Sequence, residues 1–109
     1  MDKDFLLFLG MCRKAGKIKI GESSCEKALR DRQAHLVIIA KNASENTTRK
    51  FVNKCFYYKV PVYSISSKEE ISAAIGENGR AVLAIVDEGF ATGLEKRIKI
   101  QTPPAEEDT

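Results

Sequence analysis

Leu36-Val37-Ile38-Ile39-Ala40 is an unbroken apolar run bounded by His35 and Lys41. Five residues are too few for a helix, and the lack of alternation points to a strand buried on both faces. Ala81–Val86 reads the same way. Two such strands need apolar cover on each side, so the surrounding segments must provide helices. They do. Phe5, Phe8, Leu9 and Cys12 fall on one helical face, which Asp2 or Asp4 can cap and Gly16 ends. Lys17–Ile20 alternates basic and apolar residues as a short strand. Ser23 followed by Glu26 is a capping-box pattern that opens a helix running to about Arg32. Ser44 caps a third helix with Phe51, Val52, Cys55 and Phe56 inward, and Val60-Pro61-Val62-Tyr63 is a short strand. Ser67 with Glu70 is a second capping box, Gly76 ends that helix, and Asp87 caps a last one with Phe90, Leu94 and Ile98 inward. Phe51, Phe56 and Phe90 are therefore expected in the core.

The order α-β-α-β-α-β-α-β-α predicts an α/β fold. It is expected as a three-layer α/β/α sandwich on a four-stranded mixed, mostly parallel sheet. At 109 residues the chain supports one domain, expected over 1–102, with an acidic, disordered tail over 103–109. No apolar run approaches the roughly 20 residues of a membrane span. Met1-Asp2-Lys3-Asp4 has no basic head of a signal peptide, and the three cysteines are widely spaced with no C-x-x-C pair. A cytoplasmic monomer without membrane contact is expected.

Net charge is +3, but the tail holds Glu106, Glu107 and Asp108 and no cation. The remainder carries 18 Lys and Arg against 12 acids, a net +6. A basic body favours an anionic partner. The cations concentrate before the second helix: Arg13, Lys14, Lys17 and Lys19 precede Gly21 with no intervening acid. Ser23, Ser24 and Lys27 follow in its first turns. Free backbone N–H groups, hydroxyls and a positive dipole end beside four cations make a seat for a polyanion.

Catalytic chemistry finds no footing. His35 is the single histidine and lacks a partner motif. Neither a P-loop nor G-x-G-x-x-G occurs. Gly76-Glu77-Asn78-Gly79-Arg80 follows a helix and precedes a strand, the reverse of a phosphate-cradling loop. No metal-ligand spacing is present. No cofactor, metal or catalytic residue is expected.

These pieces together resemble the kink-turn-binding ribosomal-protein family, of the L-seven-Ae/L-thirty-e type, closest to its small bacterial YlxQ-like branch. The resemblance covers about residues 3–98. It rests on Gly21-x5-Lys27-Ala28, on Leu36 through Ser44, on Val60-Pro61-Val62-Tyr63, and on Ser67-Lys68-Glu69-Glu70-Ile71. Ala74-Ile75-Gly76, Val82 through Val86, and Asp87-Glu88-Gly89-Phe90-Ala91 add to it, the last shared particularly with the YlxQ-like branch.

The resemblance implies a sandwich that binds an RNA kink-turn, in which a bulge beside tandem sheared G·A pairs bends a duplex. The family's guanine-reading Asn-Glu pair falls on Ser23 and Ser24, and its supporting lysine on Lys27. The loop that covers the bulged nucleotides falls on Glu77–Arg80 and Ala81. Arg13, Lys14, Lys17, Lys19 and Lys41 are the expected phosphate contacts, with Gly21 at the turn and Arg80 in the covering loop. Serine offers guanine fewer contacts than Asn and Glu do, and Glu77 sets a carboxylate against phosphate; both imply weaker binding. The expected partner is kink-turn RNA, ribosomal or otherwise structured. The rival reading is a protein-interaction adaptor in a translation or RNA-processing complex.

Overall fold

The computed structural model describes residues 3–101, so Asp2, the domain's expected end at 102 and the acidic tail lie outside the described residues. The elements are α1 (Lys3–Lys14), β1 (Ile18–Ile20), α2 (Glu22–Arg30), β2 (Leu36–Ile39), α3 (Glu45–Tyr58), β3 (Val62–Ser64), α4 (Lys68–Ile75), β4 (Val82–Ile85) and α5 (Glu88–Gln101). Their order is the expected one.

Leu36 and Ile38 point to one side of the sheet with Leu83 and Ile85, and join Phe5 and Leu9 of α1, Ile71 of α4 and Leu94 of α5. Val37, Ile39, Val82 and Ala84 point to the other side, where Cys25 and Leu29 of α2 and Phe51 and Cys55 of α3 cover them. A strand alternates its faces residue by residue, so an unbroken apolar run serves two cores at once. Cys12, Cys25 and Cys55 are all buried and free. Burial pushes their thiols up to about 11, about 12 and about 11 respectively. They behave as small hydrophobes.

The sheet order is β1-β4-β2-β3. β4 runs antiparallel to both β1 and β2, and only β2 and β3 are parallel neighbours. The expectation of a mostly parallel sheet is therefore corrected. Three of the four strands do run the same way, as helix crossovers require. The fourth enters from the end where the others leave. After α4 the chain turns at Gly76 (φ 76) and doubles back, with the Glu77 amide bonded to the Ser72 carbonyl and the Arg80 amide to the Ser72 hydroxyl. Helix–strand alternation does not encode that return.

The caps show where local sequence sufficed. Ser44 accepts from the Thr47 amide, Ser67 and Glu70 complete a capping box, and the Asp87 carboxylate accepts from the Phe90 amide. The expected box at Ser23 is absent. Gly21 is the N-cap of α2, and Ser23 and Ser24 lie inside its first turn. The Gly21 amide is held by the Val82 carbonyl, which fixes the turn and starts the helix at Glu22. Phe56 departs further, being 86% exposed. α3 meets the sheet along Phe51 and Cys55, and a residue one position on lies about 100° around the helix. Phe90 does pack on the core, its ring 5.4 Å from that of Phe8.

Leu83 is fully buried in the central antiparallel strand. Leu83→Ala should lower unfolding free energy by about 2–5 kcal/mol in urea titration. Ser67→Ala, which opens the capping box, should cost about 1 kcal/mol.

Candidate functional site

Three connections converge where β1 and β2 end and β4 begins. The Gly21 amide donates to the Val82 carbonyl at 3.0 Å, and the Ala40 amide to the Ala81 carbonyl at 2.8 Å. The Lys41 amide donates to the Ser66 carbonyl at 2.7 Å, which draws in the loop after β3. Asn42 fastens that loop, accepting from the Lys68 amide and donating to Glu69. This pole thus carries Gly21, the first turn of α2, Lys41, and Arg80 and Ala81 at the entry to β4.

Gly21 has φ 96 and ψ 162, a conformation open to glycine and strained for other residues. A Cβ there would stand 3.4 Å from Nη1 of Arg80. Glycine here leaves the Arg80 guanidinium beside the start of α2. It also leaves the first turn with no side-chain cap. Ser23 and Ser24 are exposed there. Their hydroxyls and the uncapped amides of a nine-residue helix face outward at its positive end.

Three of the acids near this pole, Glu22, Glu26 and Glu77, are engaged by cations. Glu22 accepts from the Thr47 hydroxyl at 2.8 Å and pairs with Lys50 at 3.3 Å, and Glu26 also pairs with Lys50. Both carboxylates are turned to α3, away from the serines. The Lys50 ammonium holds the Glu26 carboxyl below the usual carboxylate range, and the Lys50 ammonium is itself held up by Glu26 and Glu22. Glu77 lies between two arginines, 3.0 Å from Nη2 of Arg13 and 3.4 Å from Nε of Arg80. The carboxylate expected to oppose phosphate instead ties two cations together, with a net charge of one positive for the triad. Lys27 pairs with Asp31 at 2.7 Å and pulls that carboxyl down. Exposed pairs of this kind contribute at most about 1 kcal/mol, so phosphate can displace Asp31 at little cost.

Of the expected contacts, the structure gathers Gly21, Ser23, Ser24, Lys41 and Arg80 at one pole, and joins Arg13 to it through Glu77. Lys27 follows one turn along α2. The other cations are placed differently. Lys17 lies at the far end of β1, where its carbonyl accepts from the Val86 amide. Lys19 is exposed on β1, and Lys14 is exposed in the last turn of α1. No carboxylate among the described residues forms an ion pair with Lys14, Lys17, Lys19 or Lys41. Sequence reading missed the tie between Lys50 and the two acids of α2, because nothing local links residues that far apart. Ser72 was missed for the same reason.

Among the described residues no group of three or more His, Cys, Asp or Glu could hold a metal ion. No described helix is long and apolar enough to cross a membrane.

A mixed four-stranded sheet between helix layers, with a helix start and three loops gathered at one pole, defines a small α/β/α sandwich domain. The chain belongs to the Ribosomal protein L7Ae/L30e/S12e/Gadd45 family, whose profile matches residues 7–95. It is 40% identical over 86 residues to the RNA-binding protein YlxQ of Bacillus subtilis (strain 168), covering 79% of this chain and 86% of that one. It is 38% identical over 91 residues to the RNA-binding protein YlxQ of Enterococcus faecium, covering 84% and 87%. A solved protein of unknown function from Bacillus halodurans C superposes with a TM-score of 0.86 at 31% identity, over 89% of this chain and 98% of that one. The Giardia lamblia 15.5kD RNA binding protein shares the fold, with a TM-score of 0.76 at 20% identity over 94% and 93%. The family resemblance and its YlxQ-like branch are borne out.

Two consequences are measurable. Gly21→Ala forces a strained φ, so it should cost about 1–2 kcal/mol in chemical denaturation. The tie between Glu26 and Lys50 gives a pH signature. A carboxyl whose folded value is depressed stabilises above its unfolded value, and the gain is lost as pH falls through the folded one. The raised Lys50 value adds a loss only as pH rises through it, in strong alkali. Lys50→Met should therefore melt below wild type at pH 7, and the difference should close as acid protonates Glu26.

Proposed function

We propose that this protein is a non-catalytic RNA-binding protein that recognises a kinked duplex with tandem G·A pairs beside a bulge. The observation that carries the reading is the pole where uncapped amides and hydroxyls of Ser23 and Ser24 meet the Arg80 guanidinium across Gly21. Kinked RNA crowds phosphates and opens its groove, offering guanine edges that a regular A-form groove conceals. Ser23 and Ser24 read those edges. Lys27, Lys41, Arg13 and Arg80 neutralise the converging backbones, and counterion release supplies much of the affinity. Lys14, Lys17 and Lys19 extend the basic field. The relatives named RNA-binding proteins support the partner class. The RNA is structured and cytoplasmic, with ribosomal RNA the leading candidate. Binding stabilises the bent conformer by population shift, since only that conformer offers the contact surface.

Serine hydroxyls give fewer contacts to guanine than a carboxylate and an amide would, so affinity rests heavily on charge and falls steeply with salt. In a fluorescence titration, a kink-turn RNA should bind at least about tenfold tighter than the same RNA with its G·A pairs changed to Watson–Crick pairs. Ser23→Asp/Ser24→Asp should weaken kink-turn binding by phosphate repulsion, and unchanged affinity would remove these serines from the site. Equal binding of both RNAs would reduce the function to electrostatic RNA affinity. No binding of either would favour the protein-adaptor reading.

A further inference from the structure

The pole opposite Ser23 carries a second surface that the kink-turn reading does not use. α2 and α3 both run back from the Gly21 end, so the loop after α2 and the last turn of α3 meet where β2 and β3 begin. There Phe56 is 86% exposed and Tyr57 73% exposed. The Tyr57 ring stands edge-on to Tyr58, with centroids 4.9 Å apart, and the Arg32 guanidinium lies 5.2 Å above the Tyr58 ring. Phe56, Tyr57, Lys59 and Pro61 line an open groove beside them.

The charge of this surface is one-sided. From Asn46 to Lys59 the chain has no Asp or Glu, Lys54 and Lys59 stand in and just after the last turns of α3, and Asp31, which precedes Arg32, is paired with Lys27. Lys50 is taken by Glu22 and Glu26. Arg32 and Lys59 both adopt a left-handed backbone at φ 61 just after their helices. Glycine is the inexpensive residue for that position, so both cations are held at a conformational cost. A cation near a helix C-terminus gains from the dipole, which accounts for the charge alone. It does not account for two solvated aromatic rings beside it.

We infer that this pole binds single-stranded RNA. Unpaired bases stack on Phe56 and Tyr57, and Arg32 and Lys59 hold the adjoining phosphates. Aromatic faces interleaved with cations, with the neighbouring Asp31 already paired to Lys27, suit an unpaired strand, because every base has a π face and every linkage a negative charge. An acidic peptide would meet the cations but would leave the flat rings without a matched surface. The inference rests on RNA as the partner class but not on the site at Ser23. A protein with contacts at both poles would grip a kinked duplex and a flanking single strand together.

The test uses the full chain and an oligouridylate of about ten nucleotides, which can form no kink-turn. The chain has no tryptophan, so its emission comes from tyrosines. Tyr63 is engaged with Glu95, which leaves Tyr57 and Tyr58 as the reporters at this pole. Binding should quench tyrosine emission. Phe56→Ser/Tyr57→Ser should weaken oligouridylate binding about tenfold or more by anisotropy while leaving kink-turn affinity unchanged. Ser23→Asp/Ser24→Asp should do the reverse. Lys59→Gly relieves the backbone cost, so its melting temperature should not fall, yet its log–log salt slope should drop by about 0.7. The inference is overturned if wild type does not bind the oligonucleotide, or if the aromatic variant binds it as well as wild type does. It is overturned equally if sedimentation shows a dimer that the aromatic variant abolishes, because the patch would then belong to a second copy. A kink-turn titration that fails while oligouridylate binding survives would sink the first site and leave this one standing.

Discussion

The pairing of β4 between β1 and β2 organises the rest of the molecule. Each neighbour runs against it, with Ile20 opposite Leu83 and Ile39 opposite Val82. That register places the entry to β4 beside the exits of β1 and β2. The hydrogen bonds from Gly21 to Val82 and from Ala40 to Ala81 then follow from continuing the ladder by one residue on each side. With β4 running the other way, its entry and Arg80 would lie at the far end of β1, away from Gly21. The gathering of loops at the Ser23 pole is thus a by-product of how a central strand satisfies its backbone groups.

Around that frame the charges are arranged by neutralising acids more than by adding cations. Glu22 and Glu26 are drawn to Lys50 on α3, and Glu77 is held between Arg13 and Arg80. Each pairing is exposed and weak as a source of stability. Their effect is on the field: the acids closest to Ser23 and Ser24 are turned away or cancelled, so a phosphate approaching the pole meets amides, hydroxyls and guanidinium. The same economy holds for the three thiols. Burial pushes them up to about 11 or 12, which keeps them inert fillers of the two cores.

The opposite pole follows another logic. α3 buries only a narrow line, Phe51 and Cys55, because it covers the outer part of the sheet, where β3 is the edge strand. Val52, Phe56 and Tyr57 therefore emerge into solvent beside cations, while Tyr58 still packs on the core. Helical spacing alone places Phe56 in the core, since residues 51, 52, 55 and 56 form a continuous stripe on a helical wheel. How much of such a stripe is covered depends on how much sheet lies beneath it.

By itself the sequence determined the elements and most of their ends. Unbroken runs of four or five apolar residues are strands with two buried faces, and Ser44, Ser67, Asp87 and Gly76 act on backbone groups within a few residues. Such effects are local, so they are legible without a fold. The candidate contacts at Ser23, Ser24, Lys27 and Arg80 were legible through family resemblance, because order and spacing survive where geometry is unseen. Tertiary structure alone decided the direction of β4, the start of α2 at Gly21 and the exposure of Phe56. It also decided which cations face the Ser23 pole and which, like Lys17, lie at the other end of a strand. Each of these depends on a partner distant in the chain, and a sequence pattern carries no record of which distant residue supplies the other half of a hydrogen bond or covers a given face.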